Sequence, residues 1–205
     1  VQYIEPTKGA FGFDVRGKLL TPKPGKPKMA LRGKGFTVSE DGNTYFAAFD
    51  GKVEYRNTDL NVINILEISG DVDLNVGNID FTGDVTIKGN VISGMTVSAK
   101  GNIFIGGYIE GATIKSEKDV VFAEGANGKG IGIVEAKGNI NAQFLENITV
   151  KAGGDVNVGY ILNSNVVSYG KVKVYGKKGV IHGGDVTGVL GVEAVNVGNV
   201  SYTQT

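Results

Sequence analysis

A single histidine, His182, and the absence of cysteine bound the chemistry this chain can do. Thiolate catalysis, disulfides and Cys-type zinc sites are excluded in one step. A nucleophilic triad needs a carboxylate placed to orient the imidazole, and no spacing in the sequence singles one out for His182. Two neighbouring carboxylates can hold a hard cation, and Asp71 and Asp73 in "SGDVDLN" stand at i and i+2. With no third acid beside them, they read as a solvated strand face. "GANGKGIG" (125–132) is glycine-rich, yet it fits neither G-x-x-x-x-G-K-[S/T] nor G-x-G-x-x-G, and no helical pattern follows it. It reads as a long corner loop. The sequence therefore predicts no catalytic residue, no cofactor and no metal, and a chain that is not an enzyme.

Binding leaves fainter marks. "FLEN" sets Phe144, Glu146 and Asn147 together, and an outward aromatic beside an acid can anchor a protein partner. "YGKKG" brings Lys177 and Lys178 to one corner as a second candidate contact. Nucleic acid is not expected, because 21 Lys and Arg balance 21 Asp and Glu and no basic field results. The charge is split mildly, with nine cations and six acids in residues 1–55 (+3) against twelve and fifteen in 56–205 (−3). No apolar run approaches the roughly 18 residues of a membrane helix, so no membrane span is expected. No signal peptide opens the chain, and with no cysteine this suits a cytoplasmic protein.

Candidate contacts need elements to hold them, and the elements come from a repeat. Glycine accounts for 33 of 205 residues, and all four prolines fall within the first 27. Proline withholds a backbone donor from a sheet, so the proline-free remainder is able to be strand throughout. A Gly-Asn/Asp-Val/Ile signature recurs at Gly83, Gly101, Gly138, Gly154 and Gly184, with degenerate copies at Lys118 and Gly170. The intervals are 18, 17, 20, 16, 16 and 14 residues. Four residues before each anchor stand Ile79, Val97, Ile114, Val134, Val150, Val166 and Val180; two after stand Val85, Ile103, Val120, Ile140, Val156, Val172 and Val186. Apolar and polar residues alternate around these columns, the period of half-buried strands.

A repeat this short closes as one solenoid turn, each turn pairing in parallel with the next at about 4.8 Å. The expected fold is all-β: a single-stranded parallel β-helix of about seven rungs over 56–205, preceded by a small β-rich module over 1–55 that caps the first rung. Two before the anchor the column reads Phe81, Ala99, Ser116, Ala136, Ala152, Ser168, His182, small except at its ends. This reads His182 as a residue of the terminal rung. The residue after each anchor reads Asp84, Asn102, Asp119, Asn139, Asp155, Lys171, Asp185. No two carboxylates adjoin, as a corner ladder that avoids repulsion requires. Gly89-Asn90-Val91 is an extra partial copy, and "INILEISGDV" (63–72) is a possible earlier start.

Four stretches, "GFDVRGKLLTPKPGKP", "GDVDLNVGNIDFTGDVTIKGNV", "NAQFLENITVKAGGDVNVGYILNS" and "YGKKGVIHGGDV", resemble the flagellar assembly protein A family in the family's own order. The resemblance implies a right-handed β-helix and a helical coiled-coil region beyond residue 205. It implies a role in flagellar placement or assembly, through flagellar or signalling protein partners and not through catalysis. Asn163 is a further candidate contact; the resemblance implies that the family often carries a histidine at this position, so the chain departs from the pattern there. Self-association by stacking of β-helix ends or edges is compatible with the repeat. A self-assembling, bactofilin-like cytoskeletal polymer and a carbohydrate-active β-helix are the competing readings. The latter predicts an acidic, aromatic-lined groove.

Overall fold

In the computed structural model, residues 1–26, 29–176 and 179–198 are described, and every regular element among them is a β-strand. The chain divides into two compact units, Val1–Asn64 and Ile65–Thr205. The first consists of three antiparallel pairs: Gly12–Phe13 with Leu19–Leu20, Phe36–Val38 with Tyr45–Ala47, and Lys52–Arg56 with Asp59–Ile63. Pro6, Pro22 and Pro24 all lie outside these strands, as the missing donor requires. Its core is small. Tyr45, Leu60 and Val62 are buried, and the ring of Phe36 meets Tyr45 edge-on at 5.3 Å.

The second unit is a parallel β-solenoid of eight turns, with three columns of paired strands. The first column runs from Ile79–Phe81 through Thr96–Ala99, Thr113–Ser116, Ile133–Ala136, Thr149–Ala152 and Asn165–Ser168 to Val186–Gly188. The second runs from Ile65–Ile68 to Val192–Glu193. The third begins as single bridges, Val72 to Val91 to Ile109. It continues through Gly125–Asn127 and the far ends of the long strands Ile140–Glu146 and Val156–Leu162 to Val180–His182 and Asn196–Val197. Alternation along each strand sends one set of side chains inward. Val97, Ile114, Val134, Val150 and Val166 stack in one such row, all with 1% exposure or less. The core is thus a continuous aliphatic stack, in which β-branched residues fit because each meets its own kind one turn away.

The glycine of the repeat signature has a steric cause. Each ladder residue turns its Oδ1 toward the next turn and accepts the backbone N–H there. Asn102 donates to Asp84 at 2.7 Å, Asn139 to Asp119 at 2.6 Å, Asp155 to Asn139 at 2.8 Å and Lys171 to Asp155 at 2.8 Å. The accepting oxygen then lies over the residue that precedes the donor. A Cβ at Gly101, Gly138, Gly154 or Gly170 would sit 2.1–2.4 Å from that oxygen. Lys118 is the copy without glycine, and the bond beside it, from Asp119 N–H to Asn102 Oδ1, is the longest of the row at 3.3 Å. The ladder is therefore a side-chain-to-backbone one, with a single Asn102-to-Asp84 amide contact of 3.1 Å added. Asp71 and Asn90 begin the same device at another corner, accepting from Asn90 and Tyr108 at 2.7 and 3.0 Å. This accounts for the extra partial copy at Gly89.

The last turn departs from the sequence alignment. Val186 pairs with Val166, Ile181 with Ile161, and Val192 with Val172. The Gly-Asp-Val at 184–186 therefore opens the first column, not the second, and Asp185 lies outside the ladder. The cause is a different glycine corner. Gly183 and Gly184 both have positive φ (67° and 82°), and a Cβ on Gly184 would fall 2.2 Å from the carbonyl oxygen of Ser164. His182 consequently pairs with Leu162, and Gly188, not His182, stacks on Ser168. Ile65–Ile68 pairs with Asp84–Ile87 as a further turn, so the solenoid begins at the earlier start within 63–72 and has about eight turns.

Candidate functional site

The outer side of the third column gathers four of the six candidate contacts. Strand Ile140–Glu146 buries Leu145 in the core and turns Phe144 and Glu146 outward, both partly exposed. One turn on, Tyr160 stands beside Phe144 and Leu162 beside Glu146. The rings of Phe144 and Tyr160 stack with centroids 5.5 Å apart and planes 13° from parallel. Phe144 also covers Gly125 in the preceding turn, where a Cβ would lie 2.5 Å from the ring. Both oxygens of Glu146 are engaged: Tyr160 Oη donates to Oε1 at 2.8 Å and Asn127 Nδ2 to Oε2 at 3.0 Å. Burial, and then the Glu146 carboxylate, hold the Tyr160 hydroxyl above its ordinary pKa. A tyrosine so placed is a neutral donor, poorly suited to deprotonation.

Asn147 and Asn163 close the corner after this face, at equivalent positions of successive turns, since Glu146 pairs with Leu162. Both have left-handed backbones, with φ of 49° and 45°, and Gly183 continues the position at 67°. Asparagine tolerates this conformation better than other side-chain-bearing residues. Asn163 is exposed and donates its N–H to the carbonyl of His182, while Asn147 donates to that of Leu162. Lys177 and Lys178 lie outside the described residues.

The remaining chemical candidates resolve into structural roles. Asp71 serves the ladder, and Asp73 caps its own turn by accepting from the N–H groups of Asn75 and Val76. Among the described residues no three of His, Asp and Glu come together as a metal centre needs. "GANGKGIG" is only half a loop: Gly125–Asn127 is a strand whose Ala126 is wholly buried, and the corner follows with Lys129 and Gly130 at positive φ. Lys129 there makes an ion pair with Glu110 of the preceding turn. An open recess of about 590 Å³ lies over the first column. Four of its charges are mutually paired, Lys115 with Glu135 at 3.3 Å and Lys137 with Glu117 at 3.2 Å.

What the arrangement offers is a pre-set contact surface. Two stacked rings, a carboxylate fixed by two donors and an exposed asparagine are presented on a rigid sheet, so little side-chain entropy remains to be lost on binding. Sequence reasoning missed Tyr160 and Asn127. The signal was present: Tyr160 follows Phe144 by 16 residues, the local repeat length, so the two had to be neighbours.

Comparison with known proteins bears on what such a surface serves. Residues 64–205 match the family model described as the flagellar assembly protein A beta solenoid domain. Residues 1–58 match that of the flagellar assembly protein A N-terminal region. No curated protein and no solved structure matches the chain.

Proposed function

Since the chain belongs to the flagellar assembly protein A family, we propose that it is a non-enzymatic scaffold that binds protein partners in the assembly or placement of flagella. The reading places it in the cytoplasm, where its partners are flagellar or signalling proteins. The observation that supports it is the Phe144–Tyr160–Glu146 face, held outward by the strands of the third column. Fixed aromatic and acidic groups of this kind suit recognition, and a Tyr160 hydroxyl held neutral does not suit acid–base work. No helix among the described residues is long and apolar enough to cross a membrane.

The test is an in-frame deletion of the gene in its own host, with flagella counted and located by electron microscopy. The reading expects cells that grow normally and carry missing or misplaced flagella. Unchanged number and position of flagella would refute it.

A further inference from the structure

Residues 4–26 form an arm that no core covers. All of them are exposed except Asp14 and Pro22, which are half-buried. The arm is nonetheless ordered by pairing with itself. Pro6 lies against Gly25 and Pro22 against Gly9, so closely that a Cβ on either glycine would fall 2.2 Å and 2.7 Å from the facing proline. Farther out, Gly12 pairs with Leu20 and Phe13 with Leu19. The tip is a tight turn. The Asp14 carboxylate accepts the N–H groups of Arg16 and Lys18 at 2.9 and 2.8 Å, and Gly17 supplies the left-handed residue at φ 77°. The result is an antiparallel finger of the kind that presents its end to something else.

That end is apolar on both faces. Phe13 and Leu19 are opposite each other on one face at 70% and 50% exposure, and Leu20 points to the other at 51%. Phe11 is 64% exposed, and Val15 in the turn is fully exposed. A flat protein site would cover one face of such a ribbon and leave the other in water. A medium that surrounds the tip covers both. Cations flank the apolar side chains: Lys8, Arg16, Lys18, Lys23 and Lys26 against Glu5 and Asp14, a net +3 on the arm. The stretch 56–205 carries −3. Apolar side chains that enter the headgroup region, with lysine and arginine at the anionic surface, are the two attractions that hold peripheral proteins on a bilayer.

We propose that the finger 4–26 inserts its tip into the surface of an anionic membrane. The proposal goes beyond the flagellar reading and is tested on the purified chain alone, so its failure leaves that reading untouched. The chain is mixed with phosphatidylglycerol/phosphatidylethanolamine vesicles, or with phosphatidylcholine vesicles, and sedimented. The expected result is co-sedimentation with the anionic vesicles only, weakening as salt is raised. Phe13→Ser with Val15→Ser should lower the bound fraction at least about tenfold. Thermal melting should change little, because Phe13 is 70% exposed and Val15 fully so. Absence of binding to anionic vesicles at low salt overturns the proposal, as does unaltered binding by the double variant. A wild-type dimer that the double variant converts to monomer, with no vesicle binding by either, would assign the finger to a second copy of the chain and also overturn it.

Discussion

At the scale of single residues, the candidate site separates groups that hold the backbone from groups that face outward. Asn147 and Asn163 belong first to the corner. Their left-handed φ angles mean that Asn163→Ala should cost about 1 kcal/mol in a denaturant melt, while Asn163→Gly should be neutral or stabilising. Equal losses for both substitutions would assign the cost to a side-chain contact. Tyr160 is the outward counterpart. Because burial and Glu146 raise its pKa, it should be among the last of the eight tyrosines to ionise in an ultraviolet titration. Phe substitution at 160 should remove that late step while the ring stack survives, and Glu146→Gln should bring it only part of the way back, since burial is the larger cause. Neither Tyr160 nor Asn127 was read from the sequence. Tyr160 lay within reach, one 16-residue interval past Phe144; Asn127 did not, since it stands 19 residues before Glu146 in a turn whose anchors are 20 apart.

At the scale of elements, the corner ladder couples turn to turn and gives the solenoid an acid limit. The N–H of Lys171, and next the cations of Lys173 and Lys171, hold the Asp155 carboxylate below the ordinary range. Asp73 is held low by the Val76 and Asn75 N–H groups, and Glu193 by Lys171. A depressed folded pKa contributes stability that is complete above the unfolded value of about 4, and is lost as pH falls through the lower folded value. Melting temperature should therefore be insensitive to these groups between pH 5 and 7 and should drop below about pH 4. Asp155→Asn keeps an acceptor for the Lys171 N–H, so it should flatten that acid limb; an unchanged limb would show that Asp155 is not one of its causes. Much of this was legible. The ladder column, its alternation of Asn and Asp, and the small row at Ala99, Ser116 and Ala136 all follow from spacing. The hydrogen-bond partner did not follow. Side-chain stacking and side-chain-to-backbone bonding need the same residue types, and only the glycine in front of every ladder residue but Asp119 distinguished them. The last turn misled because Gly-Asp-Val is also what a double-glycine corner produces at 183–186.

At the scale of the molecule, a solenoid tolerates loss of a whole turn better than loss of one core contact, because each turn meets only its neighbours. Removing residues 150–165, one 16-residue turn, brings Val134 onto Val166 and Asn139 onto Lys171 with every column kept in register. Val150→Asp instead buries an uncompensated carboxylate at a position with 1% exposure, and should cost about 3–5 kcal/mol. Thermal melts should rank the deletion above the substitution, and the reverse order would contradict the stacked-turn architecture. The confinement of proline to the first 27 residues suggested a separate module ending at residue 55, whereas the compact units divide after Asn64. The exposed finger was not legible, because "FGFDVRGKLL" has the alternation and turn of any core hairpin, and only the fold shows its apolar side chains exposed among the described residues.

We propose that the Phe144–Tyr160–Glu146 face serves flagellar assembly by binding a protein. The most direct measurement is flagellar number and position in host cells whose gene copy carries Phe144→Ala with Glu146→Gln, with the variant chain verified at wild-type abundance. The expected result is the flagellar defect of the deletion strain. Wild-type flagellation in those cells would contradict it.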